Sequence, residues 1–188
     1  MFVLALISRL QWDVIARNKT TPCKYIYIVR NPKDSCVSLY HHMTGFKCFE
    51  YSGQWDEFFE LFIQGLVETS SWFEHVRPWW EHRQDPNILF LKYEDMKADP
   101  AANVCKIAAF IGVDDLTEEQ VAAVVSQSSF ESMKENPIAN MTWNQTKRKE
   151  GEAPFMRKGI VGLLLEMSDL RMLLLTLHMF PDDSTWGE

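Results

Sequence analysis

The sequence predicts an α/β fold with a central parallel sheet flanked by helices. Two short apolar runs, residues 25–29 and 88–91, lead to this prediction. Each run is too short for a helix and is typical of a strand buried on both faces of a parallel sheet. Segments with helical periodicity and helix-capping residues follow both runs. Strands and helices therefore alternate along the chain.

The beginning of the chain predicts a further strand. Residues 2–7 are apolar, but they lack the basic n-region and the small-residue cleavage site of a secretory signal. We therefore interpret this stretch as another buried strand.

The strand at residues 25–29 ends in Arg30, and we expect Asp34 or Ser35 to cap a new helix whose first turns contain Ser38. A strand, a turn and a helix N-terminus predict an anion site, because free backbone N–H groups and the helix dipole point at the ligand. The planar guanidinium of Arg30 suits a phosphate or a sulfate. The alternative is an ordinary strand-to-helix connection in which Arg30 is solvated.

Three more helices are predicted before residue 130. Residues 55–83 have helical periodicity, and Pro78 is expected to bend or divide that helix. Asp99 is placed to cap a helix that begins at Pro100 and stops at Gly112.

The third of these helices follows a capping box. Thr117 and Gln120 have the spacing at which the two side chains satisfy each other's backbone N–H groups. We expect a helix to run from there to a little beyond residue 125.

Residues 137–159 are rich in Pro, Asn, Gly, Lys and Arg and predict a long irregular segment. We assign the charge run at 147–149 to a solvated face. Arg157, Lys158 and Gly159 differ from it, because a glycine lets a ligand approach the backbone beside two cations.

The chain becomes strongly apolar after residue 162. We divide the chain into a domain at residues 1–162 and an apolar tail at residues 163–188. Glu166, Asp169 and Arg171 interrupt the tail, so a membrane span is not expected. We interpret the tail as a helix that is buried or that contacts a partner.

Composition narrows the class of protein. With 188 residues the chain fits one domain. Its 19 basic and 26 acidic residues give a net charge of −7, which argues against general binding to nucleic acid or to an anionic membrane. Any anion site must therefore be a local pocket.

The cysteines and histidines show no metal-binding pattern. Cys23, Cys36, Cys48 and Cys105 lack zinc-ligand spacing, and we interpret them as buried free thiols of a cytoplasmic protein. The histidines are assigned structural roles, and no metal is expected.

The chain resembles the cytosolic sulfotransferase family in four sequence blocks that occur in the family's order. The blocks are residues 25–34 with Val37 and Ser38, residues 93–97, residues 128–133 and residues 155–159. The resemblance covers residues 8–162 and is highly specific. It implies a P-loop-like sulfotransferase fold that is incomplete at its N-terminus.

The resemblance also implies a co-substrate, 3′-phosphoadenosine 5′-phosphosulfate, and no metal. Arg30 and Ser38 would hold the 3′-phosphate of this donor. Arg157, Lys158 and Gly159 would close over the same phosphate.

Five further residues belong to the implied cofactor site. Tyr93, Ser128 and Phe130 would line the adenosine pocket, and Phe155 and Met156 lie in the same cofactor-binding stretch. A purine needs an aromatic face, so the residue types agree with these roles.

The chain departs from the family pattern in three places. No glycine-, serine- and threonine-rich phosphate loop with a lysine precedes Tyr25. Arg9 stands where the family places its catalytic histidine, so no catalytic residue is assigned. Beyond Gly162 the chain has neither the family's Asp-Trp-Lys-Asn run nor its short dimerisation motif.

Two functions follow as hypotheses. The first is a sulfotransferase that transfers a sulfuryl group to a hydroxyl or amine, in a chain whose own activity is impaired. The second is a catalytically inactive protein that keeps the nucleotide site. The expected acceptor is a phenol, steroid or amine in a pocket near Leu39, Trp72 and Trp79. The sequence predicts no oligomeric state.

Overall fold

The structure is a computed structural model, and it describes residues 2–5, 23–140, 149–151, 154–162 and 170–180. This part of the chain contains three strands and eight α-helices. The strands are β1 (Phe2–Ala5), β2 (Lys24–Val29) and β3 (Ile88–Lys92). The helices are α1 (Pro32–Gly45), α2 (Trp55–Ile63), α3 (Trp72–Glu81), α4 (Tyr93–Ala98), α5 (Pro100–Ile111), α6 (Glu118–Gln127), α7 (Phe130–Glu135) and α8 (Leu170–Met179), with a 3₁₀ turn at Lys47–Phe49.

The described strands form one parallel sheet with β2 in the middle. Tyr27 of β2 pairs with Ala5 on one side and with Phe90 on the other. The predicted α/β class, the parallel sheet and the strands at 25–29 and 88–91 are confirmed. The carboxyl ends of β2 and β3 meet at the same edge, where Arg30 and Tyr93 follow them.

The N-cap of α1 differs from the prediction. Asn31, not Asp34 or Ser35, caps this helix, and its side chain accepts a hydrogen bond from the Lys33 N–H at 3.0 Å. Pro32 occupies the first helical position, which needs no N–H donor. The helix therefore begins early enough to place Asp34 inside its first turn.

The break in residues 55–83 also lies elsewhere than predicted. Pro78 lies inside α3, and the chain turns instead between α2 and α3. Gly65 has φ +70°, a left-handed conformation that ends a helix at little cost when the residue has no Cβ. Ser71 then caps α3 by accepting the Glu74 N–H.

Two capping predictions are confirmed. Asp99 accepts the Ala102 N–H at the start of α5, and Gly112 ends that helix with φ +87°. Thr117 and Gln120 form both hydrogen bonds of the predicted capping box.

Two clusters of buried side chains form the core. The first lies between the sheet and α3 and contains Tyr27, Val29, Val76, Trp79, Ile88 and Phe180. The second joins α1, α2, α3 and α8 and contains Cys36, Leu39, Phe58, Phe59, Phe62, Val67, Phe73 and Met172. The stacked rings of Tyr27 and Trp79, with centroids 4.5 Å apart, fix α3 against the sheet.

Helix α8 belongs to the predicted tail and contacts both clusters. Met172, Thr176 and the following Phe180 are buried at four-residue spacing, so they share one face of the helix. Arg171 binds Glu60 of α2 through two hydrogen bonds of 2.8 and 3.1 Å. The division of the chain at residue 162 remains a prediction, and residues 163–169 and 181–188 lie outside the described part.

The structure also bears on the predictions for the cysteines and for a membrane span. All four cysteines are free; Cys23 and Cys36 are buried as expected, whereas Cys48 and Cys105 are exposed. Among the described residues, no helix is both long and apolar enough to cross a bilayer.

Candidate functional site

Arg30 is held at the carboxyl end of β2 by three contacts. Its Nη2 donates to the Ile160 carbonyl at 3.0 Å and lies 3.3 Å from the Asp34 carboxylate. Its guanidinium carbon lies 4.7 Å from the centroid of the Tyr93 ring, in a cation–π contact. The Arg30 Nε is buried and has no hydrogen-bond partner among the described residues. The guanidinium is therefore oriented by the protein, and its Nε–H is left without a partner in this part of the chain.

The backbone at the start of α1 contributes less than the sequence suggested. The Asn31 N–H donates to the Glu94 carboxylate at 2.8 Å, and the Lys33 N–H donates to the Asn31 side chain. These two N–H groups thus have protein partners. The positive charge for an anion at this edge comes chiefly from arginine side chains.

Sequence reasoning missed the role of Asp34. This carboxylate is 1% exposed, and it accepts the Gly162 N–H at 3.0 Å in addition to its contact with Arg30. A buried carboxylate is costly unless charged or hydrogen-bonding partners surround it. The four-residue spacing from Arg30 was the signal that could have indicated the pair.

Arg157 lies near both charges. Burial lowers the pKa of the Arg157 guanidinium, the positive charge of Arg30 lowers it further, and the negative charge of Asp34 raises it. Residues 154–162, which we name the Arg157 loop, thus bring a second positive charge within electrostatic range of Arg30 and Asp34. Lys158, the next residue, is exposed.

Gly159 lies against the aromatic ring of Phe130 at the start of α7. A Cβ at Gly159 would overlap three atoms of that ring, and φ is +63°. The loop backbone therefore touches a residue predicted for the adenosine pocket. Ser128 lies two residues earlier and is exposed, and its hydroxyl donates to the Val124 carbonyl at 2.7 Å.

Ser38 lies on α1 four residues after Asp34 and is half-buried. This spacing places its hydroxyl on the helix face that carries the carboxylate in contact with Arg30. The geometry is thus compatible with a common ligand for Arg30 and Ser38.

Phe155 lies on a different side of the loop. Its ring is 40% exposed and has its centroid 6.3 Å from those of His42 and Phe46. The His42 ring also contacts Phe46 and Phe49, at 4.7 and 5.2 Å. We name these four residues the aromatic cluster. The neighbouring Met156 is half-buried.

Other predicted positions have different surroundings. Leu39 and Trp79, which were expected to shape an acceptor pocket, are buried in the core, because both are needed to join the helices to one another and to the sheet. Arg9 lies outside the described residues. Within the described part of the chain, no group of three or more potential metal ligands occurs.

Comparison with known proteins identifies the family. A family model described as the sulfotransferase domain matches residues 6–163. The chain is 46% identical over 144 residues to rat sulfotransferase 1C2, covering 76% of this chain and 48% of that protein. It is 44% identical over 147 residues to a rabbit amine sulfotransferase, covering 77% of this chain and 48% of that protein. The chain belongs to the sulfotransferase family, and it spans about half the length of these relatives.

Solved structures agree with this assignment. A mouse sulfotransferase, SULT7A1, complexed with PAP has a TM-score of 0.78 and 32% identity, covering 94% of this chain and 65% of that one. Retinol dehydratase in a complex with retinol and PAP has a TM-score of 0.77 and 32% identity, covering 86% of this chain and 48% of that one. The predicted fold class is therefore confirmed.

Proposed function

We propose that this chain binds 3′-phosphoadenosine 5′-phosphosulfate by its 3′-phosphate, and that the protein transfers the sulfuryl group to a hydroxyl or amine of a small acceptor. The main support is the orientation of Arg30 by Asp34 and Ile160, with the Arg157 guanidinium nearby. A phosphate dianion is best bound by such planar, charge-assisted donors.

The proposed nucleotide site extends from Arg30 along the Arg157 loop. Arg30, Arg157 and Ser38 are suited to the phosphate, and Phe130 can offer its ring to the purine. Tyr93 helps to orient Arg30, because its ring lies against the guanidinium of that residue. Lys158 is exposed beside Arg157 and can add a third positive charge.

The other residues predicted to bind the nucleotide lie next to those already described. Ser128 can accept a hydrogen bond, since its own proton is directed to the Val124 carbonyl. Phe155, Met156 and Gly159 position the loop backbone over the nucleotide.

The transfer itself needs a group that removes the acceptor proton. In the proposed reaction the acceptor oxygen or nitrogen forms a bond to sulfur while the bond from sulfur to the donor's phosphate oxygen breaks, and that oxygen keeps the electron pair. A positioned general base contributes roughly 10²–10⁴-fold to such a rate. The resemblance puts Arg9 at the histidine position of the family, and a guanidinium cannot accept the proton.

Arg9 therefore supports a second candidate function, a nucleotide-binding protein without transfer activity. The two candidates share the nucleotide site and differ only in turnover. We expect no sulfuryl transfer from this chain alone to phenol, steroid or amine acceptors. Donor-dependent turnover would exclude the second candidate.

Calorimetric titration with adenosine 3′,5′-bisphosphate (PAP) tests the nucleotide site that both candidate functions share. A few charge-assisted contacts and one stacked base, set against the cost of association, predict a dissociation constant between about 10 μM and about 1 mM. Arg30→Ala should abolish measurable binding. Arg77→Ala is the matched control, because Arg77 is exposed and pairs only loosely with Glu81, at 3.7 Å. Unchanged binding by Arg30→Ala would contradict the proposed phosphate contact.

The acceptor is proposed to be a phenol, steroid or amine. The aromatic cluster supports an apolar ring as the common feature of the acceptor, because its tilted and edge-on rings offer apolar surface to a flat ligand. We also propose a cytoplasmic location, in accord with the four free cysteines. Nucleic acid and membrane are not proposed as partners.

A further inference from the structure

Two hydrogen bonds join the Arg157 loop to the turn that carries the proposed phosphate contact. Arg30 donates to the carbonyl of Ile160, and Gly162 donates its N–H to Asp34. Arg30 and Asp34 also contact each other at 3.3 Å. The four residues form a closed set of contacts between segments 128 or more positions apart in the sequence.

Asp34 is not needed to cap its helix. Asn31 already accepts the Lys33 N–H, and Pro32 has no N–H. An exposed first-turn aspartate would be favoured by the helix dipole alone, but this one is buried and directs Oδ2 at both the loop and Arg30. A different physical reason for a charge at this position is therefore required.

The reason is the balance of charge around the loop. Burial and the positive charge of Arg30 both disfavour the charged form of Arg157. Asp34 supplies a negative charge that contacts Arg30 and the loop backbone and favours the charged form of Arg157. Without it, docking of the loop would bring two guanidinium groups together with no counter-charge.

We propose that Asp34 is a positioning residue that holds the Arg157 loop in its docked position before the nucleotide binds. The phosphate of the nucleotide then supplies negative charge to the same arginines. The first statement concerns the free protein, and the second rests on the proposed function. Asp34 thus prepares the site without itself contacting the phosphate.

Hydrogen–deuterium exchange of the full chain tests this role. Asp34→Asn keeps a hydrogen-bond acceptor for Gly162 but removes the charge. In the free protein, exchange of backbone amides at residues 157–162 should become about tenfold faster or more, because a charge-assisted contact is replaced by a neutral one. Saturating PAP should return exchange to within about threefold of the unchanged chain. Asp114→Asn is the control, because it makes the same change of charge at an exposed loop residue. Amide exchange at residues 157–162 should be unaltered in this variant.

A double variant separates charge balance from simple structural support. The double variant Asp34→Asn/Arg157→Met removes one of the two like charges. Compared with Asp34→Asn, it should show slower amide exchange in the loop and a higher melting temperature. The two melting temperatures decide whether Asp34 acts through its charge, even if Asp34→Asn is only marginally folded.

Each contrary outcome has a distinct meaning. Unchanged loop exchange in Asp34→Asn, equally faster exchange throughout the chain, or a double variant less stable than Asp34→Asn would overturn the role of Asp34. Failure of the unchanged chain to bind PAP would instead overturn the proposed nucleotide site, and the comparison of free proteins would still decide the role of Asp34.

Discussion

Gly159 and Phe130 contact each other so closely that no side chain fits between them. A Cβ at Gly159 would lie 2.8 Å from Phe130 Cε2 and nearer still to two other ring atoms. The contact joins the Arg157 loop to the start of α7. It thereby links the proposed phosphate and adenosine portions of the nucleotide site.

Gly159→Ala should weaken PAP binding by about tenfold or more, because the loop must move away from Phe130 and the positive φ also disfavours a Cβ. Calorimetric titration measures the change. Gly112→Ala is a suitable control, since Gly112 also has a positive φ but no atom within 4 Å of its virtual Cβ. Equal affinity for Gly159→Ala and the unchanged chain would show that the loop does not contact the nucleotide.

The ring of Tyr93 should matter more than its hydroxyl. Tyr93→Leu removes the cation–π contact with Arg30, worth about 0.5–2 kcal/mol, and should weaken PAP binding by roughly 2- to 30-fold. Tyr93→Phe keeps the ring and should change the affinity less than about threefold. If both variants lose affinity equally, the hydroxyl rather than the ring is the important group.

Phe180 should stabilise the fold strongly. It is 0% exposed and packs against Trp72 and Trp80 at centroid distances of 6.1 and 5.1 Å. Phe180→Ala should lower the free energy of unfolding by about 3–5 kcal/mol, measured by urea denaturation. A loss below about 1 kcal/mol would mean that α8 is not docked in the core in solution.

Arg171→Met provides the contrasting change on the same helix. The Arg171–Glu60 pair is half-exposed, so its removal should cost less than about 1 kcal/mol despite its two hydrogen bonds. A larger loss would show that charge, rather than buried apolar area, attaches α8 to the protein.

His75 should make stability depend on pH. Burial lowers the pKa of His75, which lies beside the Tyr27 ring, so the folded protein binds this proton less readily than the unfolded chain does. The free energy of unfolding should therefore rise with pH between about 5 and about 7 and fall as the solution becomes more acidic. His75→Phe should flatten this part of the profile. An unaltered slope in that variant would assign the dependence to other groups.

Local patterns predicted much of the fold. The two apolar runs, the Asp99 cap and the Thr117 box are confirmed because each depends on residues within one or two turns of each other. The prediction that Pro78 divides residues 55–83 was wrong, and so was that for the N-cap of α1, although the chain contains the residues that decide them. Gly65, with its left-handed conformation, follows the end of α2, and the side chain of Asn31 accepts the Lys33 N–H at the start of α1.

The sequence by itself determined that a strand, a cationic turn and a helix follow one another at residues 25–45, since periodicity and proline placement are local properties. Only the tertiary structure decided that Asp34 lies beside Gly162, and that Gly159 lies on Phe130. These contacts join distant segments, and their formation depends on how the buried side chains of the whole core pack together.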